Sequence, residues 1–234
     1  MIGKIAAIIP IHGRIHQLEG CITSLLSGSR VPDEIIIVSD GNTLADLMCI
    51  QTYARVCGAK VCVHKEKKGA AAARNTGARV TEAELLFFCD ADVTIFRNTL
   101  DYLEGALEKN QTASFAYGDF LFGNTRMYGK PFDREKLEQE NFISTMSLIR
   151  HKNFLQFDET LTRFQDWDLW LTLAERGEIG EYVPEILFRA SMNGGMSSFI
   201  PSIVAQNARL FQWIPRVRAY TDARKKILKK HGIR

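Results

Sequence analysis

Residues 34–43 read Glu34-Ile35-Ile36-Ile37-Val38-Ser39-Asp40-Gly41-Asn42-Thr43, a β-branched run that stops at a polar turn. A short apolar run bounded by breakers, with Pro32 before it and Gly41 after it, is the pattern of a strand buried on both faces. The turn from Ser39 to Thr43 leads into a helix that ends near Gly58. Upstream, Ile5–Pro10 is a second apolar run. It is followed by Leu18, Ile22, Leu25 and Leu26, whose three- and four-residue steps predict a helix. Downstream come a short strand over Lys60–His64, an alanine-rich helix starting at Gly69, and the strand Leu85–Cys89 (LLFFC). Strands alternating with helices in this way predict an α/β fold with a mostly parallel central sheet flanked by helices.

The second half is less regular. Ser114–Phe122 and Ile143–Arg150 read as strands with Asp133–Gln139 as a polar loop between them, and Asp166–Arg176 reads as a helix stopped by Gly177. No element is assigned between Gly177 and Ser202, and the tail from Ser202 reads as one or two helices separated at Pro215. The expected organisation is one domain over 1–200, with halves 1–110 and 111–200, and a basic helical tail over 201–234.

The chain has 234 residues, 46% hydrophobic and 24% charged, which is ordinary for a globular protein. No apolar stretch approaches the roughly 20 residues of a membrane span, and the N-terminus does not read as a signal peptide. Five scattered cysteines read as reduced structural thiols of a cytosolic protein, and no Cys or His pair completes a metal site around Cys57 and Cys62. Residues 209–234 carry nine Lys/Arg and one Asp, so a net +8 tail accompanies a net −5 body. Such a tail can bind nucleic acid or an anionic membrane surface, or can be a solvated terminal helix.

In an open parallel sheet, ligands bind outside the carboxyl ends of the strands. The loops there read Pro10-Ile11-His12-Gly13-Arg14, Ser39-Asp40-Gly41, Lys67-Lys68-Gly69 and Asp90-Ala91-Asp92. Asp90 and Asp92 are two apart at a strand end, so on an extended chain their carboxylates face the same way. Such a pair suits Mg2+ or Mn2+, which take oxygen ligands and keep positions open for phosphate. Asp166 and Asp168 repeat the spacing without the strand-end position. The stretch Gly69–Gly77 (GAAAARNTG) supplies small side chains where a loop enters a helix, a place that favours negative charge. By itself it reads rather as an alanine-rich helix with Arg74 exposed. No G-x-G-x-x-G follows a strand and no G-x-x-x-x-G-K-[ST] occurs, which counts against dinucleotide oxidoreductases and P-loop NTPases.

Taken in order, these pieces resemble a family 2 glycosyltransferase with the A-type fold, from about Ile5 to about Ser198. Ile8-Ile9-Pro10 opens the match, and Glu34–Thr43 is similar to the family's E-I-I-V-V-D-D-G-S-T. Lys68-Gly69 through Ala73-Arg74-Asn75-Thr76-Gly77 resembles N-x-G-x-x-x-A-R-N-x-G. Asp90-Ala91-Asp92 stands at the D-x-D, and Phe157-Asp158-Glu159 and Gln165–Trp170 resemble F-D-E and E-D-W-D-L-W. The fold implied is a single Rossmann-like A-type glycosyltransferase domain with a C-terminal helical extension, residues 1–110 binding the nucleotide and 111–200 the acceptor.

The resemblance also implies roles. Pro10, Ile11 and His12 line the base pocket, Asp40 bonds the base, and Gly69 and Arg74 lie near the nucleotide. Asp90 faces the ribose, Ala91 belongs to the same donor-binding turn, and Asp92, with Asp90, holds Mn2+ or Mg2+ on the diphosphate. Asp166 is the general base of an inverting transfer of one sugar, and also reads as a helix N-cap. Trp167 and Asp168 form the acceptor side, Asp168 with a structural role as its alternative. Departures are Ile11-His12 for Thr-Tyr, Lys67 for Asn, Gln165 for Glu, and Ser191 where many members have a metal-ligating His. Gln206–Leu210 is only faintly similar to the Q-x-x-R-W of processive synthases. The implied partners are a nucleoside-diphosphate sugar and a glycan or lipid-linked acceptor, without nucleic acid. The implied location is cytoplasmic, with peripheral contact at a membrane through the tail. A sugar nucleotidyltransferase and a non-catalytic nucleotide-sugar-binding protein are the alternatives.

Overall fold

The computed structural model describes residues 3–191 and 213–233. In chain order the elements are β1 (Ile5–Ile11), α1 (Ile15–Leu26), β2 (Glu34–Asp40), α2 (Leu44–Cys57), β3 (Lys60–His64), α3 (Ala70–Arg79), β4 (Leu85–Phe88), β5 (Val93–Ile95), α4 (Thr99–Lys109), β6 (Ala113–Phe122), β7 (Thr125–Met127), α5 (Arg134–Gln139), β8 (Leu148–Arg150), α6 (Gln165–Glu175), β9 (Ile179–Ala190) and α7 (Pro215–Lys230). They build one sheet in the order β3-β2-β1-β4-β8-β6-β9-β5, with β7 paired to β6.

The β3-β2-β1-β4 half is parallel throughout, and β6 runs parallel to β9. Short antiparallel ladders through β8, β5 and β7 complete the sheet. The chain steps outward from β1 to β3 and then returns across β1 to β4. Strand order therefore reverses between β1 and β4, and that reversal opens a crevice at their carboxyl ends.

The strand side chains divide by alternation. Ile5, Ala7, Ile9 and Ile11 of β1, with Ile35 and Ile37 of β2, pack under α1, α2 and α4. Ala6 and Ile8, with Ile36 and Val38, pack under α3 and α6 on the other face. The α3 layer sits close because a Cβ on Gly77 would stand 2.3 Å from Ile8 Cγ2. Local chemistry sets the helix ends. Thr43 Oγ1 accepts from Asp46 N–H at 3.2 Å and the Asp46 carboxylate accepts from Thr43 N–H, a reciprocal cap. Gly58 ends α2 in the left-handed region, with φ 70°.

Three expectations change. Asp133–Gln139 is not a loop, because Asp133 accepts from Lys136 N–H at 3.1 Å and caps the short helix α5. The strand expected over Ile143–Arg150 shrinks to Leu148–Arg150, since Ser144 turns the preceding chain by accepting from Met146 N–H at 2.9 Å. The long strand β9 was not foreseen. Its Pro184 interrupts the alternation, and the ladder shifts register between Gly118 and Asp119 to absorb it. In the tail, α7 begins at Pro215, a residue suited to a first helical turn. The stretch expected to be helical from Ser202, including Gln206–Leu210, and the start of the tail at residue 201 lie outside the described residues.

Candidate active site

The turns after β1 and β2 are stitched together by Asn42. Its Nδ2 donates to Ile11 O at 2.8 Å and to Ser39 Oγ at 2.9 Å, while its Oδ1 accepts from Gly13 N–H at 2.6 Å. His12 is exposed, and its Nδ1–H donates to Asp40 O at 2.7 Å. Ile11 is buried in the core, and Pro10 is half-buried beside it.

Asp40 is held from several sides. It is 3% exposed. Its carboxylate accepts from the N–H groups of Lys68 and Gly69, both at 2.8 Å, and pairs with His64 Nδ1 at 2.8 Å. Burial alone would push this carboxyl up, but the Lys68 and Gly69 amides and the His64 ring outweigh it and hold it below the usual carboxylate range. His64 passes the tie on, its Nε2 lying 3.0 Å from Thr76 Oγ1 on α3. Asp40 is thus a buried anchor that shapes the loop before α3. Gly69, with φ 98°, takes the turn into α3 in a conformation L side chains avoid.

Arg74 on α3 is buried, not exposed as the alanine-rich helix alone would suggest. Its Nη2 donates to Asp90 Oδ1 at 2.6 Å, its Nη1 donates to Gln165 Oε1 at 3.4 Å, and its guanidinium lies 5.5 Å from the Phe157 ring centroid. Its Nε is buried with no hydrogen-bond partner among the described residues. Asp90, Ala91 and Asp92 are all half-buried just past β4. Burial pushes the Asp92 carboxyl above the usual range and the neighbouring Asp90 charge adds to this, with Arg14 and Arg74 pulling partly back.

Asp166 stands at the second position of α6. The residue preceding α6 is Phe164, in the left-handed region with φ 58°, so the N-cap reading of Asp166 is corrected. Asp166 Oδ1 accepts from Trp167 N–H at 2.9 Å. Burial pushes the Asp166 carboxyl up, against the opposing pull of the Trp167 N–H, the Asn141 side chain and the Arg74 charge. Arg74 thus bonds Asp90 of the acidic pair directly and reaches the α6 carboxylate through its charge and through neighbouring Gln165.

Trp167 and Asp168 are turned elsewhere. The Trp167 indole, 1% exposed, donates to Leu137 O at 2.6 Å. Asp168, 3% exposed, pairs with Lys230 at 2.7 Å and with His231 Nε2 at 2.9 Å. Both residues thus pack against α5 and α7, Asp168 in the structural role that was its alternative.

Sequence reading missed Asn141, Asn42 and His64. Asn42 stands inside the Glu34–Thr43 motif without a role of its own, and Asn141 and His64 are single polar residues that no local pattern marks. Asn75 was legible only as part of a motif. It joins α3 to the Phe157–Glu159 segment through bonds of 2.8–2.9 Å to Phe157 N and O and to Glu159 Oε1.

Among the described residues, no three His, Cys, Asp or Glu side chains converge to hold a metal. Residues 1–2, 192–212 and 234 contain none of these types. Any divalent ion at this place would rest on Asp90 and Asp92, two half-buried carboxylates whose mutual repulsion a cation relieves.

Residues 6–170 match the family described as Glycosyl transferase family 2. An uncharacterized glycosyltransferase of Rickettsia bellii is 23% identical over 91% of this chain. The chain spans about a third (34%) of the length of the first curated relatives it matches. The structure of S. aureus TarS residues 1–349 with UDP-GlcNAc superimposes with a TM-score of 0.70 at 19% identity, covering 88% of this chain and 65% of that one. The mannosyltransferase PcManGT from Pyrobaculum calidifontis, in complex with GDP-Man and Mn2+, gives a TM-score of 0.66 at 13% identity, covering 98% and 75%. These likenesses agree with a single α/β fold of the A type, its sheet flanked by helices.

Proposed function

The chain belongs to glycosyl transferase family 2, and on that premise we propose that it is an inverting transferase that moves one sugar from a nucleoside-diphosphate sugar to an acceptor hydroxyl, aided by a divalent ion. The observation that carries this reading is the position of Arg74, bonded to Asp90 at 2.6 Å and to Gln165, the neighbour of Asp166, at 3.4 Å. It brings the Asp90 and Asp92 acidic pair and the half-buried carboxylate of Asp166 to one region. The ligands of the two solved neighbours, UDP-GlcNAc in one and GDP-Man with Mn2+ in the other, support a nucleotide-sugar donor and a metal.

In this reading the turns after β1 and β2 receive the nucleoside, with His12 and the Asn42-stitched backbone around it. The Asp40-anchored Gly69 loop and the start of α3 receive the diphosphate, where small side chains let the backbone approach phosphate oxygens. Asp90 and Asp92 would hold Mn2+ or Mg2+, which when bound neutralises charge on the departing diphosphate. Arg74 keeps Asp90 in place and adds positive charge to the same region. Asp166 takes the proton from the acceptor hydroxyl as that oxygen attacks the anomeric carbon, a contribution of roughly 10²–10⁴-fold for a positioned base. Its raised pKa makes it a stronger base than a solvated carboxylate. Asn141 and the Trp167 N–H orient it. The acceptor is a hydroxyl of a glycan or a lipid-linked glycan.

Lys225 and Lys229, exposed on α7, offer positive charge to an anionic membrane surface at about 1 kcal/mol each. Vesicles of phosphatidylserine should sediment wild type more than a Lys225→Glu/Lys229→Glu variant, and equal sedimentation would remove the membrane contact.

The direct test is melting temperature against UDP, GDP and their sugars, with and without Mn2+. A base-selective, cation-dependent rise is expected. A chain that no nucleotide stabilises under either condition is not a nucleotide-sugar enzyme.

A further inference from the structure

The residues that bracket Asp166 on α6 each touch the C-terminal helix. Phe164 sits at φ 58°, an outlier for a bulky side chain, and its ring meets Tyr220 edge-on at a centroid distance of 5.1 Å. The Trp167 ring lies 5.7 Å beneath the Arg224 guanidinium, which also donates to Gln139 O at 2.9 Å. Asp168 is paired by Lys230 at 2.7 Å and by His231 Nε2 at 2.9 Å. Lys230 reaches on to Asp158 at 2.7 Å, and His231 Nδ1 lies 2.7 Å from Glu175 at the far end of α6. Ile227, 0% exposed, closes the apolar seam between these contacts.

Phe164, at the N-cap of α6, makes no side-chain cap bond among the described residues, and within the first turn Asp166 Oδ1 accepts from Trp167 N–H at 2.9 Å. Helix starts without a cap open more readily unless neighbouring structure holds them. Here the hold comes from a helix more than fifty residues further along the chain.

We propose that α7 is a positioning clamp for the catalytic end of α6, with Lys230 and Tyr220 as positioning residues that act on Asp166 through Asp168 and Phe164. The clamp itself rests only on the contacts above, while its catalytic consequence rests on the reading of Asp166 as the base. On this view much of the basic tail is internal machinery, because Arg224, Lys226 and Lys230 all bond the body of the domain.

The test uses the full chain as wild type, Lys230→Ala, Lys230→Arg, Tyr220→Ala and Lys225→Ala. Amide hydrogen exchange over residues 164–170 should quicken by about tenfold in Lys230→Ala and Tyr220→Ala, as a local opening does. Lys230→Arg and the outward-facing Lys225→Ala should match wild type, and exchange across β1 to β4 should be unchanged in all. With the nucleotide sugar that stabilises wild type most, Lys230→Ala should lower kcat by roughly ten- to a hundredfold at unchanged donor KM and unchanged Mn2+-dependent UDP affinity. Wild-type exchange over 164–170 in both alanine variants overturns the clamp. Faster exchange with kcat untouched overturns the positioning role. A wild type that turns over no nucleotide sugar removes the transfer reading and the positioning role with it, while the exchange rates still decide the clamp.

Discussion

Arg74 and Asp90 meet at 2.6 Å, and this contact ties helix α3 to the end of β4 at the point where the strand order of the sheet reverses. Asp90 is still 39% exposed on its side chain, while Arg74 is only 8% exposed, so the pair has a buried cation and an anion open to ligands. That asymmetry lets Arg74 serve the fold while Asp90 stays open to a ligand.

Arg74→Ala should destabilise the chain by about 1–2 kcal/mol, toward the low end for a charged hydrogen bond because Asp90 is partly solvated. It leaves Asp90 and Asp92 repelling one another without their neighbouring cation. Urea denaturation should show the loss, and turnover should fall with it. An alanine variant as stable and as active as wild type would deny Arg74 its bridging part.

Asp40→Asn keeps one acceptor oxygen but sets an amide N–H2 against a backbone N–H of Lys68 or Gly69. Losing one charged bond and leaving a buried donor unmet should cost about 2–4 kcal/mol. Since the Gly69 loop loses its anchor, nucleotide affinity should drop as well. Calorimetric titration with UDP and Mn2+ measures the second effect, and full affinity in the variant would restore a different account of this loop.

The carboxyls divide by sign with pH. Asp92 and Asp166 have raised pKa values, so each contributes stability below its unfolded value and loses it as pH rises through the folded one. At neutral pH their ionised forms are a cost, and Asp92→Asn or Asp166→Asn should melt at or above the wild-type temperature. Asp158 runs the other way: burial pushes it up, but the bonds from Lys230 and Thr160 bring it down to about 2. Its contribution is present above about 4 and is lost as pH falls toward 2. Melting curves across that window should be flatter in Asp158→Asn than in wild type. Identical slopes would mean that the Lys230 tie contributes nothing.

Much of the fold was legible because its signals are local. The apolar runs of β1, β2 and β4, the polar turn Ser39–Thr43 and the glycine at 58 each sit within a few residues of what they decide. Strand β9 was not legible, because Pro184 argues against a strand and only the register shift of the partner strand makes room for it. The acidic pair after β4 was legible by its strand-end position, and Asp166 by its place in a motif. What was not legible is the partners. Nothing near Asp40 shows that Lys68 and Gly69 will close on it, and nothing near Trp167 or Asp168 shows that Leu137, Lys230 and His231 will cover them. Those contacts span 28 to 63 residues and exist only once the layers have packed.

The central claim is that Asp166 removes a proton in a reaction whose donor is held elsewhere. The measurement is donor affinity and kcat side by side for wild type and Asp166→Asn, using the nucleotide sugar that raises the melting temperature most in Mn2+. The account predicts affinity within about twofold and a kcat lower by roughly 10²–10⁴. A variant that turns over the donor at the wild-type rate would contradict it.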